Sequence, residues 1–165
     1  MAELLIREAE DRDRPDLVRL MADLHRFEAD LEENRADDAA SAAQHLDFVL
    51  SELSRTGGTV LVAERAGRVV GFISYAIDED PGAFVRPERR RFGMIWDISV
   101  EEEARGGGVG RALLEAIEAR MQVAGVPEAR MFVLAGNARA QRIYEAAGYR
   151  PYEIFMSKRL GRQEA

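Results

Sequence analysis

The chain has no cysteine, only two histidines, and no apolar run as long as a membrane span. Without cysteine there is no disulfide, no thiolate metal site and no cysteine acyl-enzyme. His25 and His45 are too few, and too poorly spaced with carboxylates, for zinc, so no metal is expected. No serine stands in a Gly-x-Ser-x-Gly context, which argues against a serine acyl-enzyme. A membrane span needs roughly 18 apolar residues in succession, and the stretch Met1 to Arg7 lacks the basic flank and apolar core of a secretory signal. A cytoplasmic location without membrane contact is therefore expected. Basic residues are also in deficit, 23 Lys and Arg against 30 Asp and Glu, and the net charge of −7 disfavours nucleic acid and favours cationic small molecules. The local exception, Arg86 with Arg89, Arg90 and Arg91, reads as a solvated loop offsetting Asp78, Glu79 and Asp80.

What remains is enough for one folded domain over residues 1–165, since a chain of this length buries roughly 68–70% of its unfolded surface. Residues 3–8 read as a first strand. Pro15 then opens a helix whose apolar positions Leu17, Leu20, Met21, Leu24 and Phe27 recur at helical spacing. A second helix is expected from Ala39 to Leu53, ended by Gly57-Gly58. Thr59–Glu64 and Val69–Ile77 read as strands joined by Arg65-Ala66-Gly67-Arg68, a short hairpin turn with a glycine to take positive φ, and Arg91–Val100 as a long apolar strand. A further helix carries Leu113, Leu114, Ile117 and Met121 and stops at Gly125 and Pro127. Arg130–Ala135 is expected to be a strand, Asn137–Ala147 a capped helix, and Tyr149–Leu160 a last strand or strand pair. Strands alternating with helices predict an α/β (α+β) fold.

The glycine-rich stretch between the long strand and the third helix carries the chemistry. Backbone N–H groups at a helix start have no intrahelical partner, and the helix places about half a positive charge there. Glycines let the backbone approach an anion closely. A P-loop would need lysine and a hydroxyl residue after the last glycine, where Arg111-Ala112 stand. A dinucleotide fingerprint would need glycine at position 111.

Arg105-Gly106-Gly107-Gly108-Val109-Gly110 instead resembles the pyrophosphate loop of the GCN5-related N-acetyltransferase (GNAT) family. Trp96-Asp97-Ile98-Ser99-Val100 is similar to that family's fourth strand, and Asn137 to Tyr149, with Tyr144 and Gly148, to its Asn…Ala…Tyr…Gly-aromatic segment. The resemblance covers residues 59–160. It implies a mixed, mostly antiparallel sheet with helices on both faces, and a cofactor cleft where the fourth and fifth strands splay. It also implies acetyl-CoA as cofactor, with pantetheine along Ile98 and Val100 and the pyrophosphate at Arg105, Gly106, Gly108, Val109, Gly110 and Arg111. Asn137 would touch the cofactor near its thiol end, and Tyr144 would sit beside the sulfur.

The expected function is thus transfer of acetyl from acetyl-CoA to a primary amine of a small molecule or protein, by direct attack in a ternary complex. An alkyl amine is only about 0.1% neutral at physiological pH, so a base or desolvation must help remove its proton. Tyr144 holds its proton at neutral pH and suits the departing thiolate. Asp97 is the nearest acidic candidate for the base, although strand alternation argues against its reaching the amine and a structural role serves equally well. Where some relatives carry a glutamate, Trp96 stands here, and His25 and Glu28 on the first helix stay open as alternatives. An acyl-CoA sensor without turnover, and a homodimer, also stay open.

Overall fold

The two central strands of the sheet are apolar on both faces, and this demands cover on both sides. The computed structural model describes residues 3–160 and supplies that cover. In chain order it contains β1 (Leu4–Glu8), α1 (Arg14–Ala29), α2 (Ala39–Thr56), β2 (Thr59–Arg65), β3 (Arg68–Glu79), β4 (Arg91–Val100), α3 (Val109–Val123), β5 (Ala129–Met131) and α4 (Ala138–Ala146). Val60, Val62, Phe72 and Ala76 pack against Leu17, Leu20 and Met21 of α1 and Leu46, Val49 and Leu53 of α2. On the other face Leu61, Ala63, Ile73 and Tyr75 meet Val109, Leu113, Ile117 and Met121 of α3. The mixed sheet with helices on both faces is as expected.

Strand order follows the sequence, β1-β2-β3-β4-β5. The first three pairings are antiparallel and β4 with β5 is parallel. A parallel pair needs a long crossover, which α3 provides. Pro15 lies in the first turn of α1, where a missing N–H costs no bond. Asp38 caps α2 by accepting from the Ser41 N–H, and Gly57 ends that helix at φ 71°. The β2–β3 turn places both Ala66 (φ 52°) and Gly67 (φ 76°) in the left-handed region between the paired residues Arg65 and Arg68. This is the two-residue type I′ geometry, in which glycine is strain-free and alanine is not.

Two expectations need correction. The strand read as Arg130–Ala135 is only Ala129–Met131, and no strand forms within Tyr149–Leu160. An apolar pattern records which residues avoid water, but a strand also needs an edge to pair with. Pro151 has no N–H to contribute, and beyond it Ile154 (80% exposed) and Phe155 (93% exposed) find no cover. Tyr152 is held by the Arg130 guanidinium, 4.8 Å from its ring and 3.9 Å from that of Phe92, and Arg159 forms an exposed pair with Glu33.

Candidate active site

The site is built on an irregularity in β4. Ser74 pairs with Asp97 and the next residue, Tyr75, pairs with Ile95, so Trp96 is an extra residue, a β-bulge. Ile95 before it packs on the α3 side, as do Ile98 and Val100 after it. Trp96 packs on the α1/α2 side, its ring 6.1 Å from that of Phe48. Asp97 lies on that side too. Its N–H donates to Ser74 Oγ (3.0 Å), and Ser74 Oγ donates back to Asp97 Oδ2 (3.3 Å). Ser99 donates to the Leu20 carbonyl of α1 at 3.0 Å, tying this face of β4 to the helix.

Pairing between β4 and β5 covers only Gly93–Ile95 against Ala129–Met131. Past Ile95 the two segments enclose a cavity of about 360 Å³. The candidates along the strand, the turn and α4 line it: Asp97, Ile98 and Val100 on β4, Arg105, Gly106, Gly108, Val109, Gly110 and Arg111 at the turn, and Asn137 and Tyr144 at α4, whereas His25 does not. Alternation does turn Asp97 away from the face of Ile98 and Val100, but α1 lines the cavity on that face through Leu24, Phe27 and Glu28.

At the turn, Gly106 (φ 78°) and Gly108 (φ 80°) are left-handed, and Gly108 is the N-cap of α3. The N–H groups of Val109, Gly110 and Arg111 open that helix and have no partner within it by position. Arg105 Nε donates to the Val100 carbonyl (3.0 Å), tying the turn to the strand end. Arg111 instead forms an exposed i,i+4 pair with Glu115 at 2.7 Å. The arrangement offers backbone donors and a helix N-terminus to an anion.

Asn137 Oδ1 accepts from the Ala140 N–H (3.0 Å), capping α4, which leaves its amide N–H groups for other use. Tyr144 packs edge-on against Tyr149, centroids 6.2 Å apart. Burial, and then the negative charge of Glu28, push the Tyr144 phenol up to about 12, so it keeps its proton at neutral pH. Burial also raises Glu28, opposed by Arg35, whose Nε lies 3.6 Å away, with Asp97 adding to the rise. Asp97 is raised by burial against the opposing effects of His45 and the Ser74 hydroxyl.

Two neighbours of the site escaped sequence reading. Ser74 lies on an apolar strand with no motif, and His45 is 20 residues from its partner His25 on another helix. A polar residue inside an apolar strand, such as Ser74, is the one signal that was available.

A sequence model of the acetyltransferase (GNAT) family matches residues 17–149. The chain belongs to the GNAT acetyltransferase family. An uncharacterized N-acetyltransferase of Archaeoglobus fulgidus is 32% identical over 150 residues, covering 88% of this GNAT chain and 92% of that protein. A mycothiol acetyltransferase of Streptomyces griseus is 30% identical over 93 residues, 56% of this chain, which spans only 27% of that longer protein. The GCN5-related N-acetyltransferase of Ralstonia eutropha superposes with a TM-score of 0.75 at 22% identity, covering 96% of this chain and all of that one, a likeness of fold. Among the described residues no helix of this GNAT protein is long and apolar enough to cross a membrane.

Proposed function

We propose that this acetyltransferase binds acetyl-CoA in the β4/β5 gap and passes its acetyl group directly to a primary amine of a small molecule or protein. One observation carries the reading: the glycine turn, Tyr144 and two carboxylates, the half-buried Glu28 and the buried side chain of Asp97, line one cavity. The residues fit the cofactor. The Cβ positions of Gly106 and Gly108 meet nothing within 4 Å, so the turn stays open to a pyrophosphate. Bound there, acetyl-CoA supplies an acyl group activated as a thioester.

The chain's own groups have distinct tasks in this scheme. The N–H groups of Val109, Gly110 and Arg111 hold the pyrophosphate, and backbone of β4 beyond Ile95 orients pantetheine. A β4 N–H facing the gap donates to the oxygen that gains charge as the amine attacks. Tyr144 donates its proton to the departing sulfur, a role its raised pKa allows. Asp97 and Glu28 face the acceptor side, where negative potential attracts a protonated amine and a carboxylate takes its proton. The excess of acidic residues over the whole chain adds a long-range bias toward cationic acceptors.

Thermal unfolding in parallel with acetyl-CoA, CoA, ATP and NADH tests the cofactor. Ligand at 100 times its Kd adds about 2.7 kcal/mol, which for a chain of this size raises Tm by about 5–11 °C. A shift with the two CoA forms alone supports the reading, and a larger shift with ATP or NADH overturns it. Turnover is tested by thiol release with a panel of amines. Tyr144→Phe is expected to lower kcat about 100-fold with little change in KM for acetyl-CoA. Acetyl-CoA binding without thiol release from any amine would leave a sensor rather than an enzyme.

A further inference from the structure

Behind Asp97 lies a pair of histidines that the scheme above does not use. His25 of α1 and His45 of α2 share a hydrogen bond, His25 Nε2 to His45 Nδ1 at 2.8 Å. The other nitrogen of His45, Nε2, stands 3.9 Å from Asp97 Oδ1, and the Asp97 side chain is only 9% exposed. The other nitrogen of His25, Nδ1, is buried without a hydrogen-bond partner. Both rings line a second cavity of about 280 Å³ with Glu28, Asn34, Arg35 and Ala36. Asp97 faces the first cavity, the histidines face the second, and Glu28 borders both.

We propose that Asp97, His45 and His25 form a proton exit route, carrying the proton lost by the amine from the acetyl-transfer site to the second cavity. The proposal rests on the acetyltransferase reading and adds positioning and proton-carrying roles for two further residues. The distances describe a waiting state. With a proton on His45 Nδ1 and another on His25 Nδ1, the His45 Nε2 lone pair faces the Asp97 carboxylate. At 3.9 Å the two atoms are not hydrogen-bonded, as two facing acceptors would not be.

The transfer then balances. The protonated amine first gives one proton to Asp97; as its nitrogen then bonds to the acyl carbon and the carbon–sulfur bond breaks, its second proton replaces the one that Tyr144 gives to the departing sulfur. Protonated Asp97 becomes a donor, and a contraction of about 1 Å brings Oδ1 into hydrogen-bond range of His45 Nε2. The proton passes to Nε2, the Nδ1 proton of His45 passes to His25 Nε2, and His25 releases its Nδ1 proton when a small ring movement opens that buried nitrogen to the second cavity, which the ring already lines. One proton enters at Asp97 and one leaves at His25, and the two rings exchange tautomers before the next cycle. Burial, the neighbouring His45 and Arg35 together hold His25 below the ordinary histidine range, with Asp38 opposing, so a protonated His25 discharges readily. The same charges bear on the route from every side: Ser74, His45 and Glu28 around Asp97, and Arg35, Asp38 and Glu28 around His25. A metal centre is a poorer account, since among the described residues no three such groups converge to hold one.

The test uses the full chain with acetyl-CoA and the fastest acceptor from a panel of primary amines. His45→Gln and His25→Gln are each expected to lower kcat about ten-fold, shift the acidic limb of its pH profile, and leave KM and the acetyl-CoA thermal shift unchanged. Added imidazole is expected to restore part of the rate in His25→Gly. A wild-type rate and pH profile in both glutamine variants would overturn the route while leaving the acetyltransferase reading intact. The reverse failure is separable: no turnover by the wild type with any amine sinks the acetyltransferase reading itself. Nitrogen-15 NMR of the two imidazoles gives a readout independent of turnover. The waiting state requires a proton on Nδ1 of His45 and a changed His45 Nε2 signal in Asp97→Asn, and imidazole signals indifferent to Asp97 and to each other would exclude the chain of proton carriers.

Discussion

Asp97 shows how a single side chain can work against the fold that holds it. Burial raises its carboxyl above the value of about 3.9 that it has in an unfolded chain. The folded state therefore binds that proton more tightly, and ionising Asp97 costs stability. The cost is absent below about pH 4, where both states are protonated, and develops as pH rises through the folded value. Asp97→Asn removes it, so the Tm advantage of the variant should be larger at pH 7.5 than at pH 4, as calorimetry at the two values will show. A gap that shrinks with rising pH contradicts this account. Gly108 offers a second residue-level test, because asparagine and aspartate both tolerate its φ of 80° and both suit an N-cap. Gly108→Asn should bind acetyl-CoA within a few-fold of wild type. Gly108→Asp, which differs by one negative charge at the proposed anion site, should bind at least about ten-fold more weakly by calorimetric titration.

Among the elements, the helices were the most legible, because Pro15, Gly57 and the apolar stripe of α3 mark a start, a stop and a buried face locally. The glycine turn was equally plain, its residue types and order being unusual together. Features that depend on a partner strand were not readable. The bulge at Trp96 exists only in the pairing of β4 with β3, and the shortness of β5 only in where β4 departs from it. His45 reaches Asp97 because α1 and α2 pack side by side, which no spacing within α2 announces. The β2–β3 hairpin was expected, yet its strain was not, since glycine alone was assigned the positive φ that Ala66 shares. Ala66→Asn supplies the residue type that a type I′ turn favours and should add roughly 0.5–1 kcal/mol, or about 1–4 °C in Tm. An unchanged or lower Tm would mean that the turn is not under strain.

At the scale of the whole molecule, the carboxy-terminal stretch stands apart from the layered body. Tyr152, Ile154, Phe155 and Met156 lie exposed in a segment with no ladder hydrogen bonds. Exposed, unpaired backbone is where proteases cut first. Limited digestion should thus cleave first between Arg150 and Arg159, leaving a fragment with β1 through α4 intact by mass spectrometry. First cuts in the loop between β3 and β4 would show that the stretch is better protected than its exposure implies. The order of the sheet has a consequence of another kind, in how the molecule is made. Each strand pairs with the one synthesised just before it, so a chain emerging from the ribosome always has the partner for its next strand already outside. The glycine turn emerges before β5, and Tyr144 comes after both. Translation halted between Met131 and Asn137 would leave a chain with its proposed phosphate-holding turn complete and its proposed proton donor missing.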